Sequence, residues 1–225
     1  MYVERPLPHG SAAWRSLGAA ATTLPADGCL DLIVREGSVL VAGPSTRPIQ
    51  TLPDGVTGSF GLRISPGLAA GIVRVGLGEL SDLLLPLDAV SDRSLVNRLT
   101  GILLPFGDGP RPMAELARLV AESPDRAWAG RIVTHARARR SLGEVVAAEG
   151  TPERTLRRRV RASFGYGYGT LVRLERARSA QRLIRAGASV AEAAARAGYA
   201  DQPHLTREFR RIVGATPAQF AASGA

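Results

Sequence analysis

The sequence predicts an α+β chain: a small β-rich N-terminal domain with helices, followed by an all-α domain in which a long helix joins two helix-turn-helix units. Three observations predict it. Aliphatic runs punctuated by Gly and Pro fill residues 27–65, helical periodicity takes over from about residue 91, and an internal repeat occupies the C-terminal part. Charge divides the chain in the same place. Residues 131–225 carry 18 Arg against 7 Asp and Glu, residues 1–130 carry 11 against 13, and the whole chain is +9. The boundaries expected are 1–125 for the β-rich domain with its C-terminal helices, 126–140 for a linker helix and 141–225 for the helical domain.

The strands come first. "CLDLIV" at 29–34 and "SVLVAG" at 38–43 are aliphatic runs separated by Glu36-Gly37, which reads as a hairpin. "SFGLRIS" at 59–65 alternates and stops at Pro66-Gly67. Helical spacing then appears in "SDRSLVNRLTGIL" at 91–103 and "RPMAELARLVAES" at 111–123. Ser123-Pro124-Asp125 reads as a stop and a restart, with Pro near the first turn of the next helix.

The repeat is the most informative feature. "SLGEVVAAEG" at 141–150 matches "SVAEAAARAG" at 189–198. Each begins with Ser and has Glu three residues on, a capping box, and each ends in Gly, which closes a helix in the left-handed region. After the glycine, "TLRRRVRASFG" at 155–165 matches "HLTREFRRIVG" at 204–214. A short helix, a glycine turn and a second short helix form a helix-turn-helix. Between the two units lies "TLVRLERARSAQRLIRAG", a helical segment of about 27 Å at 1.5 Å per residue, which can hold the units roughly one turn of B-DNA apart, about 34 Å.

On a helix over 152–164, Leu156, Val160 and Phe164 share a face within about 80°. Arg154, Arg157, Arg158 and Arg161 lie opposite within about 100°, and Arg159 lies to the side. Solvated faces usually mix signs, because like charges at i,i+4 destabilise a helix. Arg154 with Arg158 and Arg157 with Arg161 are such pairs, so an external anion is expected to favour them. Arginine meets phosphate and also reads guanine through two parallel hydrogen bonds. In the second unit Leu205, Phe209 and Ile212 face inward, while Thr206, Arg207 and Arg210 project outward with Gln202 at the helix start. Gln can pair with adenine and Thr can touch a thymine methyl. His204 is expected to pack at the helix start. The partner expected is double-stranded DNA.

Other classes are poorly supplied. Every basic residue is Arg, so neither a P-loop lysine nor a Schiff-base amine exists. No apolar run approaches the roughly 18 residues of a membrane helix, and no membrane partner is expected. His9, His135 and His204 are scattered. No cofactor and no catalytic residue is expected. The single Cys29 fits a reducing cytoplasm and is expected to be a buried thiol; a DNA-repair alkyl transfer through Cys29 is the weaker reading. Asp27 and Asp31 are expected in turn and edge roles rather than as ligands. A non-specific architectural DNA binder is the remaining alternative.

Residues 135–222, above all "SVAEAAARAGYADQPHLTREFRRIVGATPAQF", resemble the C-terminal DNA-binding domain of the AraC/XylS family of bacterial transcriptional regulators. The resemblance implies recognition helices at about 152–163 and 202–212 entering successive major-groove segments. It places base contacts at Arg154, Arg157 and Arg158, and at Gln202, Thr206 and Arg207. "PADGCLDLIV", "VAGPST" and "GLRISPG" resemble a small β-rich domain of unknown function that precedes this domain in one subgroup. Such domains often sense small molecules or mediate dimerisation. The resemblance therefore implies an effector or a homodimer contact there, with no ligand specified, and RNA polymerase as a partner if the protein activates. One departure is "GYGYGTLV", with Tyr168 where many members have proline; Gly167 and Gly169 are expected to loosen this joint. The N-terminal module is expected to control when the protein acts, and the second to present its arginines without help.

Overall fold

The computed structural model describes residues 2–18, 20–51, 53–54, 58–69, 72–73, 75–104, 114, 117–118, 121 and 125–223. The expected helix at 111–123, like the Ser123-Pro124 stop, lies almost wholly outside the described residues. The predicted α+β architecture is present.

Six strands form one antiparallel sheet in the order β1-β2-β7-β4-β5-β8. They are β1 (Tyr2–Pro6), β2 (Ala12–Ser16), β4 (Leu30–Arg35), β5 (Ser38–Ala42), β7 (Ser59–Ile64) and β8 (Leu84–Pro86). A separate pair joins β3 (Thr23–Leu24) to β6 (Ile49–Gln50). The β4–β5 hairpin turns on two residues, Glu36 and Gly37, both at positive φ, the twist that such turns require. Leu30, Leu32, Val41, Leu62 and Ile64 point to one face of the sheet and are buried. Three helices, α1 (Leu77–Leu80), α2 (Leu87–Val90) and α3 (Arg93–Leu103), contribute Leu77, Leu80, Leu87, Val90, Leu99 and Leu103 to the same core. Strands β1 and β2 lie outside the region that the sequence marks as strand. β1 is an exposed edge with no buried face, so no alternation announces it. β2 packs small residues, Ala12 and Ala13, where β-branched ones are usual.

The second module holds α4 (Arg126–Arg137), α5 (Leu142–Glu149), α6 (Glu153–Phe164), α7 (Tyr168–Arg185), α8 (Val190–Ala197), α9 (Gln202–Val213) and α10 (Pro217–Ala222). Both capping boxes form: Ser141 with Glu144 opens α5, and Ser189 with Glu192 opens α8. Gly150 and Gly198 close these helices in the left-handed region, as the repeat requires. Helix α4 packs along α7 and buries Trp128, Ala129, Ile132 and Ala136.

The joint between α6 and α7 is not loose. Tyr166 and Tyr168 are 6% and 7% exposed, and each hydroxyl has a fixed acceptor. Tyr168 donates to the Arg140 carbonyl (2.9 Å) and Tyr166 to the Gly28 carbonyl (3.2 Å). The two tyrosines anchor what the two glycines would have freed.

The two modules share one core, and the sheet module touches the carboxyl end of both outward-facing helices. Ser81 donates to the Gly165 carbonyl at the end of α6 (3.1 Å), and the Ala26 amide donates to the Ile212 carbonyl near the end of α9 (2.8 Å). Arg178 on α7 donates to the Asp27 carbonyl (2.8 Å). The second module is thus braced by the first rather than standing apart. Gly28 is central to the brace. It sits at φ +69, and a Cβ there would lie 2.1 Å from the Tyr166 hydroxyl and 2.9 Å from Leu174 Cδ1. Gly28→Ala should therefore cost about 2–4 kcal/mol, combining a left-handed backbone with overpacking. A urea melt checks it, and an unshifted midpoint would mean that the modules do not meet as described.

Candidate nucleic-acid interface

Helix α6 is strongly amphipathic. Leu156, Val160 and Phe164 are at most 1% exposed and face the core, so the backbone turns Arg154, Arg157, Arg158 and Arg161 to solvent. Among the described residues Arg154, Arg158 and Arg161 have no acidic partner. Arg157 pairs with Glu153 one turn earlier (2.7 Å), an exposed contact worth well under about 1 kcal/mol and readily exchanged for phosphate. Arg159, off the ridge, is committed elsewhere. Its guanidinium donates to Asp125 (2.8 Å) and lies 4.1 Å above the Trp128 ring, tying α6 to α4.

Helix α9 repeats the design with different chemistry. Leu205, Phe209, Ile212 and Val213 are buried, and Asp201 caps the start by accepting from the His204 amide (2.6 Å). Gln202, Arg207 and Arg210 are exposed, and the half-buried Thr206 donates its hydroxyl to the Gln202 carbonyl (2.9 Å). His204 packs edge-on against Tyr199, with ring centroids 5.3 Å apart, and its Nδ1 accepts from the Ala200 amide (3.4 Å). It belongs to the turn, as its position at the helix start suggested.

Between α6 and α7 runs a groove of about 1090 Å³ lined by seven arginines and, among the described residues, by no carboxylate. Arg157, Arg158 and Arg161 form one wall. Arg139, Arg140, Arg173 and Arg176 form the rest, and sequence reasoning did not single these four out. The i,i+3 spacing of Arg173 and Arg176 on α7 was the available signal, obscured by Glu175 between them. The fold turns Glu175 away and buries it at 3% exposure, where Arg137 (2.9 Å) and Arg178 hold it.

A second cavity of about 880 Å³ opens where the sheet meets α4 and α7. Arg63 Nε lies 3.3 Å from Asp27 Oδ2 and 3.5 Å from Asp31 Oδ1, without hydrogen-bond geometry to either. Trp14 Nε1 donates to Asp31 (2.7 Å); burial pushes that carboxyl up to about 6, with Arg63 opposing. Asp27 accepts from the Cys29 amide (2.9 Å) and from Ser45, so both acids hold structure together. Cys29 is 5% exposed and burial pushes its thiol well up, the opposite of what a nucleophilic thiolate needs. Among the described residues no group of His, Cys, Asp and Glu could hold a metal, and no helix is long and apolar enough to cross a membrane.

Residues 145–223 match the family described as a helix-turn-helix domain. The C-terminal region is a helix-turn-helix domain. The match begins within α5 and runs through α6, α7, α8, α9 and α10. A curated relative, the HTH-type transcriptional regulator RipA of Corynebacterium glutamicum, is 34% identical over 111 residues. That alignment covers 49% of this chain and 31% of RipA, so the chain spans about a third of that relative's length. Among solved structures, ToxT of Vibrio cholerae O395 aligns over 98% of this chain and 97% of its own at 10% identity, with a TM-score of 0.47. The C-terminal domain of AraT, a response regulator from Geobacillus stearothermophilus, aligns over 41% of this chain and 84% of its own at 22% identity, with a TM-score of 0.37.

Proposed function

We propose that the chain is a sequence-specific, DNA-binding transcriptional regulator acting in the cytoplasm, with α6 and α9 reading two successive major-groove segments of a promoter. The observation that carries this reading is the pair of matched helices, each with a buried stripe and an outward row of side chains suited to base edges or phosphates. The two rows divide the work. The α6 ridge of Arg154, Arg157, Arg158 and Arg161 is dense in charge and supplies most of the affinity. The α9 row of Gln202, Thr206, Arg207 and Arg210 is chemically mixed and supplies more of the discrimination.

Competition tests the reading. Binding of the purified chain to its preferred duplex should persist in a large excess of random duplex, since specific complexes are typically tighter by about 10³ or more. Equal displacement by either duplex would instead fit an architectural binder. Catalysis is not part of the reading: the buried Cys29 lacks the electropositive, accessible setting of an alkyl acceptor.

The sheet module is the natural place for control, through an effector, a homodimer contact or RNA polymerase. The junction cavity supports an effector. Its volume lies in the range of small-molecule sites, and its wall carries Arg63 and Asp27, which form a charged cluster with Asp31. Because that module holds the ends of both α6 and α9, a ligand that alters the docking would bias DNA affinity through a coupling free energy.

A further inference from the structure

We propose that the arginine groove between α6 and α7 is a clamp for the phosphodiester strand that crosses between the two major-groove segments; this rests on the two-segment reading above. When two helices enter successive major-groove segments on one face, the intervening minor groove faces the protein. A sugar-phosphate strand must then pass between the two helix-turn-helix units.

The groove lies on that path. One wall is the side of α6 that carries Arg157, Arg158 and Arg161, so it opens beside the ridge proposed to meet DNA. The other end reaches the turn of the second unit. There Arg176 donates to the Gly198 carbonyl (2.7 Å) and stacks 4.2 Å from the Tyr199 ring, while Arg139 donates to the Arg196 carbonyl (3.3 Å). These contacts hold guanidiniums in place without neutralising them, because carbonyls carry no net charge. Among the described residues Arg176 Nε is buried with no acceptor, and Arg173 has only the Thr170 hydroxyl (3.2 Å). Seven like charges around one groove repel each other; Glu153 offsets Arg157 alone, and among the described residues no carboxylate lines the groove. A polyanion does so at every repeat of its backbone. Charge approaching from both sides favours a strand of phosphates lying along the groove, since a base edge presents its acceptors to one side only.

The clamp makes a prediction distinct from base reading. In the full chain, Arg173→Ala and Arg140→Ala should each weaken binding to the preferred duplex and to a random duplex by the same factor, roughly three- to tenfold at 0.1 M salt. Each should also lower the slope of log affinity against log salt by about 1. Arg173→Lys should restore most of the slope. Circular-dichroism melts verify folding, and Arg173→Gln serves if the alanine variant is unstable. Unchanged slopes in Arg173→Ala and Arg140→Ala, with wild-type binding intact, would overturn the clamp and leave the two-segment reading standing. A change confined to one preferred base would also overturn it. So would inorganic phosphate, at constant ionic strength, binding the groove without displacing duplex, since the ligand would then be a free anion. Failure of the two-segment reading would show separately, as a selected site with one half-motif.

Discussion

Arg158→Ala and Arg207→Ala should each weaken binding to the preferred duplex by about 1–3 kcal/mol, roughly 5- to 150-fold, and relax base choice at a single position. Both guanidiniums are exposed, lie on the outward face of their helix, and have no acidic partner among the described residues. Arg159→Ala is the internal contrast. It is as cationic as its neighbours, but its charge is occupied by Asp125 and its plane by Trp128. Its loss should lower stability modestly and leave base preference unchanged. Site selection repeated with all three variants checks this. Identical preferences in all three would place the reading face elsewhere on α6 and α9.

The largest stability effect is expected at Phe164, where α6 meets the sheet module. Its ring is 1% exposed, packs near Trp128 and Tyr166 at 6.2 Å between centroids, and backs onto Gly67 of the sheet module so closely that a Cβ there would lie 2.8 Å from Cζ. Phe164→Ala should cost about 3–5 kcal/mol, because neither a rigid sheet turn nor two anchored rings can collapse into the space. The change should lower the melting of both modules together. Fluorescence in single-tryptophan variants follows each: Trp14 reports the sheet and Trp128 reports α4. Separate transitions, with only Trp128 shifted, would contradict the shared core.

The C-terminal domain was legible in the sequence because its signals are local. Capping boxes, closing glycines and 3.6-residue periodicity all fall within ten or so residues of each other, and the structure places them as read. The outward faces proposed to meet DNA followed from the same periodicity: the positions of Leu156 and Val160 dictate those of Arg154 and Arg158. The groove was not legible, since Arg140 comes from the turn between α4 and α5, Arg157 from α6 and Arg173 from α7, and only tertiary packing brings them together. Nor was the bracing of α6 and α9. It depends on backbone carbonyls at Gly28, Gly165 and Ile212, which no side-chain pattern marks. The rigid α6–α7 joint was misread for a related reason. Gly167 and Gly169 signalled freedom, but the acceptors that hold Tyr166 and Tyr168 lie 138 and 28 residues away in the chain.

The central claim is that α6 and α9 read DNA as a pair. Selection of binding sites from random duplex DNA with the purified full-length chain tests it most directly. Two half-motifs are expected, with centres about 10–10.5 base pairs apart, one helical turn. A single half-motif, or no enrichment over random sequence, would contradict it.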